Sequence, residues 1–162
     1  GKSSLASALA LAHGHGYLTD DYALLDGRSL HVYGRPWRLE LRAGALREFW
    51  PDGPPRGRTV GDKSVLDARE HVAVAASGAV DLVFFVQRGA RTALTPLSPE
   101  ATRGHLGEPV SMFRHCPDVT HGYEAAFHAL ALSARGYTLA VDHDLGIAHA
   151  ATVVADAIAA GR

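Results

Sequence analysis

The residues best suited to chemistry stand at the start of the chain. Gly1-Lys2-Ser3-Ser4 leads directly into an apolar-periodic segment and has the form of the tail of a phosphate-binding loop, G-x-x-x-x-G-K-[ST]. Backbone N–H groups and the positive end of a helix dipole would receive phosphates. The lysine would reach the β/γ oxygens, and the Ser3 hydroxyl would complete the coordination of Mg²⁺. Four such residues alone describe an ordinary serine-capped helix start equally well, so a second anchor is needed. Thr19-Asp20-Asp21, just past the apolar Tyr17-Leu18, provides it. Two adjacent carboxylates at a strand end can divide phosphoryl transfer between them, one holding Mg²⁺ and one taking the proton of an attacking hydroxyl. Without the glycine-lysine-serine run, the same pair would read as a solvated turn.

These residues need elements to position them. Leu5, Ala8, Leu9 and Ala12 follow the i, i+3, i+4, i+7 spacing of a helix, which is expected from Lys2 to about Ala12 and ended by Gly14. Tyr17 to Thr19, Tyr22 to Leu25 and Leu30 to Val32 are short apolar stretches, the last two separated by the turn chemistry of Asp26-Gly27-Arg28, so a hairpin or meander is expected after the helix. Trp37 to Arg42 alternates with period two, as a strand with one buried face does. Trp50 to Gly61, rich in proline and glycine, is expected to be a loop. Val80 to Val86 reads as a central strand buried on both faces, with Thr92 to Leu97 as its neighbour. Ser98-Pro99-Glu100 starts a short helix by cap and proline. Tyr123 to Ala134 is a helix, Tyr137 to Val141 a strand and Ile147 to Ala160 a closing helix. The alternation predicts an α/β domain with an early antiparallel portion.

At this point the chain resembles a family. Gly1-Lys2-Ser3-Ser4-Leu5-Ala6, then Gly14-His15, then Leu18-Thr19-Asp20-Asp21-Tyr22-Ala23-Leu24-Leu25 is similar to the start of the catalytic domain of HPr kinase/phosphorylase and its relatives among bacterial serine kinases. Leu39-Glu40-Leu41-Arg42 resembles the start of that family's Glu-x-Arg-Gly segment, although Ala43-Gly44 stands where Gly-Leu would follow. Val80 to Val86, Thr92 to Pro99 and Tyr137 to Val141 loosely resemble the shorter HPr kinase-like proteins found with peptide-modification genes. The specific motifs cover about the first quarter of the chain.

The resemblance implies a P-loop, HPr kinase/PEP carboxykinase-like nucleotide-binding fold with a mixed sheet, spanning residues 1–162 as one catalytic domain. Because the chain opens in mid-motif at Gly1 without a methionine, the expectation is that it lacks the domain's first strand and the start of the loop. The activity implied is an ATP-dependent serine kinase. Gly1, Lys2, Ser3 and Ser4 would bind ATP, and Lys2, Asp20 and Asp21 would be catalytic. Ser3, Asp21 and Glu40 would serve Mg²⁺. By position Asp20 is assigned as base and Asp21 as metal partner, with the exchanged assignment as the alternative. The altered glutamate segment and the lack of a clear counterpart to the family's later arginine-containing catalytic loop leave phosphorolysis open and tell against HPr itself, so the acceptor implied is another small protein or peptide. A homo-oligomer is also implied.

Composition is compatible with this reading. The 162 residues, 47% hydrophobic and 20% charged, suit one globular core rather than a disordered or membrane chain. Sixteen basic against seventeen acidic residues give a net charge of -1, so no global field draws the chain to nucleic acid or an anionic membrane. A lone Cys116 forms no internal disulfide and points to a reducing, cytoplasmic setting. There is no apolar run near the ~20 residues of a membrane span and no signal-peptide pattern. Lys63, Arg56 and Arg58 read as surface cations, with phosphate contact as the alternative. The ten histidines, including His13, His15, His71 and His143, show no zinc-site spacing. Two other functions compete with the serine kinase: a P-loop small-molecule kinase or NTPase, and a non-catalytic nucleotide-binding regulatory module. The Asp pair favours the catalytic ones.

Overall fold

A computed structural model describes residues 1–19, 22–53, 55–108, 117–142 and 144–161. It is a mixed α/β structure. The elements run α1 (Lys2–His13), β1 (Leu24–Leu25), β2 (His31–Tyr33), β3 (Arg38–Arg42), α2 (Ala43–Phe49), β4 (Arg58–Val60), β5 (Lys63–Asp67), β6 (Ser77–Ala79), β7 (Leu82–Gly89), β8 (Ala93–Leu97), α3 (Pro99–Gly107), α4 (Pro117–Ser133), β9 (Arg135–Asp142) and α5 (Gly146–Ala159). Among the described residues the strands form three sheets of three, ordered β1-β2-β6, β3-β5-β4 and β7-β9-β8. The first two are antiparallel. The third is mixed, because β7 runs parallel to β9 and β8 antiparallel to it.

Helix α1 forms where the spacing predicts it, and Gly14 ends it in the left-handed region at φ 69°. Its burial is wider than one stripe. Ala10 packs with Leu39 and Leu41 of β3, Leu46 of α2 and Leu66 of β5. Leu5 and Ala8 pack with Leu139 of β9 and Ala150, Ala151 and Val154 of α5. The helix thus lies between two apolar clusters, so the residues at its start are held by both. Wedging also explains why Ser7 is fully buried while Ala12 is exposed.

Strand β3 alternates as expected, with Leu39 and Leu41 buried and Arg38 and Arg42 exposed. Ser98 Oγ accepts from the Ala101 N–H at 3.2 Å and starts α3. Four expectations are corrected. The strand expected to be central, β7, borders its sheet and is only half-buried. The place between β7 and β8 belongs to β9, which pairs with both and has Gly136, Tyr137 and Leu139 buried. The Trp50 to Gly61 loop closes with β4, which pairs with β5 through a turn at Gly61, φ 60°. Helix α4 starts at Pro117, before the expected Tyr123, and α2 follows β3 directly where no helix was expected.

Candidate functional site

Gly1 caps α1 through its backbone: its carbonyl accepts from the Leu5 N–H at 2.9 Å. The helix start has no side-chain cap and no acid in its first turn. Lys2 is exposed, and Ser3 and Ser4 are half-buried. A helix end that carries a lysine instead of a carboxylate keeps its free N–H groups and positive dipole available for an external anion.

A Cβ built on Gly1 would lie 3.6 Å from Val86 Cγ1, so the helix start abuts β7. Arg42, at the end of β3, pairs with Asp62 at 3.1 Å across an exposed contact. Arg88, near the end of β7, has no carboxylate partner among the described residues, and neither has Lys2. Arg42 was legible only as part of the Leu39 to Arg42 segment.

Glu40 lies two residues before Arg42 on the same face of β3. Its Oε1 is 3.2 Å from Arg38 Nη2 and its Oε2 3.1 Å from Lys63 Nζ. Both oxygens are therefore engaged by cations, and Lys63 is a partner of Glu40. Asp20 and Asp21 lie outside the described residues, as do Cys116 and His143. The approach to the Asp pair is anchored: Tyr17 is 2% exposed, its hydroxyl donates to the Arg38 carbonyl at 3.0 Å, and its N–H donates to the Ala73 carbonyl at 2.7 Å. Arg56 and Arg58 are exposed, as expected of surface cations.

A groove of about 540 Å³ begins at Lys2 and runs along β7 to α3 and α4, where Phe85, His105 and Phe127 line it. The Phe85 and His105 rings are 4.7 Å apart. A wider cavity of about 810 Å³ between β8 and α5 is lined by Tyr137 and Asp156, and none of the site candidates among the described residues lines it. Among the described residues no three of His, Cys, Asp and Glu gather as a metal-binding group, and no helix is long and apolar enough to cross a membrane. No protein-family model, curated protein or solved structure matches the chain.

Proposed function

We propose that this chain is an HPr kinase-like P-loop protein that transfers the γ-phosphoryl group of ATP to a serine of a small protein or peptide. One observation carries the reading: Gly1-Lys2-Ser3-Ser4 opens a 12-residue helix that has no side-chain cap and no acid in its first turn, with Lys2 exposed there. That is the electrostatic form a polyphosphate requires.

In this reading the N–H groups of the first turn and Lys2 hold the phosphates. The acceptor serine Oγ attacks the γ phosphorus, its proton passes to Asp20, and the bond from the γ phosphorus to the β–γ bridging oxygen breaks to release ADP. Ser3, Asp21 and Glu40 would hold Mg²⁺, which when bound neutralises charge on the phosphates. Ser3 suits that task as a half-buried hydroxyl in the first turn. Glu40 would hold the ion only by giving up its contact to Arg38 or Lys63.

The test incubates the full-length protein with γ-labelled ATP, Mg²⁺ and the peptides encoded beside its gene, then identifies the labelled residue. Label on serine, lost in Lys2→Ala, is the expected result. Label released only to water identifies an NTPase, and nucleotide binding without turnover identifies a regulatory module. Turnover unchanged by Lys2→Ala ends the P-loop reading.

A further inference from the structure

We infer that the acceptor peptide binds as an added strand along the open edge of β7; the inference rests on the peptide-kinase reading above. Among the described residues β9 is the one strand that pairs with β7, and the other edge of β7 carries none. Alternate residues of a strand direct their N–H and C=O groups to each side, so those pointing away from β9 form a template for a further chain. Leu82 to Val86 holds no charge and no proline, the residues by which an edge is usually blunted. The opposite edge of the same sheet, β8, carries Pro96 and is blunted in that way.

The groove that begins at Lys2 follows this open edge. Four consecutive residues, Phe84 to Gln87, line it. Successive side chains point to opposite faces of a sheet, so a groove that meets all four runs along the edge of the strand and not over one face. Those residues span about 10 Å, the length of about four residues of an extended peptide. Phe84 and Val86 face the cluster built from α1, β9 and α5, while Phe85 faces α3, with its ring 4.7 Å from that of His105. A peptide seated on the edge alternates in the same way. With its serine turned towards Lys2 on the α1 side, the residues next to the serine point to the other side, where Phe85, His105 and Phe127 wall the groove. The occupant is therefore an extended serine peptide with a large apolar residue beside the serine. Main-chain bonds to β7 give it affinity, and the aromatic wall selects the neighbouring side chain.

The experiment combines hydrogen exchange of the full-length protein with calorimetric titration of short peptides that carry a central serine. The serine is flanked by phenylalanine, by alanine, or by phenylalanine with one alternate set of backbone amides N-methylated, and label transfer from γ-labelled ATP to each peptide is measured in parallel. The β7 amides should exchange readily in the protein alone and become protected when the phenylalanine peptide binds. N-methylation of the amides that face β7 should weaken binding by roughly threefold to tenfold for each bond removed, and methylation of the other set should leave it unchanged. Alanine flanks should raise KM for the peptide, as should Phe127→Ala with the phenylalanine peptide, while KM for ATP stays the same. If the β7 amides are already protected in the protein alone, the edge belongs to another segment of the protein when it is a monomer and to a second copy when it is a dimer, and either result overturns the inference. Transfer to serine that is indifferent to N-methylation and to the flanking residue also overturns it, while the kinase reading stands. Binding with both sensitivities but no transfer establishes the strand site and ends the kinase reading. Absence of both binding and transfer ends the two together.

Discussion

The Glu48 carboxylate accepts a hydrogen bond from the backbone N–H of Ala148 at 2.8 Å, so a residue of α2 caps a helix 100 positions away. Helix α5 has Leu145 at its N-cap, which offers no side-chain acceptor, and Gly146 turns into it at φ 74°. Glu48 supplies both the missing acceptor and a negative charge at the positive end of the dipole. Glu48→Ala should cost about 1 kcal/mol, a fall of roughly 2–4 °C in Tm for a chain of this size. Glu48→Gln keeps an acceptor and loses the charge, so its melting temperature should lie between the two.

Gly136 on β9 lies directly beneath Thr102 of α3. A Cβ there would overlap Thr102 Oγ1 and approach Thr102 Cβ to 3.0 Å, and Thr102 is fully buried. Gly136→Ala should therefore destabilise the protein by about 1–3 kcal/mol, the usual range for an overpacked core. Adding Thr102→Ala should recover part of that loss, because it removes Oγ1, which has no hydrogen-bond partner. Urea unfolding of both single variants and the double variant measures the coupling. Strict additivity would mean that α3 does not rest on this glycine.

Asp67 is held down to about 2, first by the Arg69 side chain, whose Nε and Nη2 donate to it at 2.9 and 2.6 Å, and then by the Arg69 backbone N–H. A depressed carboxylate contributes stability that is fully present above its unfolded value of 3.8 and lost as the pH falls through about 2. NMR titration of the Asp67 carboxyl should place its midpoint near 2. Arg69→Ala should raise that midpoint and leave the other carboxylates unmoved.

Legibility followed from how local each signal is. Helix α1, its closing Gly14 and the alternation of β3 were readable because period and cap lie within a few residues. The order β7-β9-β8 was not, because β7 and β9 are both apolar runs and nothing local says which one takes a partner on each side. Helix α2 begins Ala43-Gly44-Ala45 with no side-chain cap, so it carries no start signal and depends on Leu46 reaching the core. For the site, Gly1 to Ser4 carried its own motif. Glu40 was readable as a type but not as the partner of Arg38 and Lys63, since the Lys63 contact depends on the β3–β5 register.

The two aspartates of the proposed kinase site can be separated by what each role demands. Asp20→Asn keeps shape and much of the hydrogen bonding but cannot accept a proton, so Mg-ATP binding should persist while transfer falls roughly 10²–10⁴-fold, the usual contribution of a general base. Asp21→Asn removes charge from the proposed metal ligands, so its defect should be partly relieved by raising Mg²⁺. Titration of Mg²⁺ at saturating ATP, with phosphate incorporation into the acceptor as the readout, distinguishes them. Rescue of Asp20→Asn but not of Asp21→Asn reverses the assignment. Full activity in both returns Thr19-Asp20-Asp21 to a solvated turn, because a catalytic base and a metal ligand cannot both be lost without consequence, and the nucleotide site proposed at α1 would then serve an NTPase or a regulatory module.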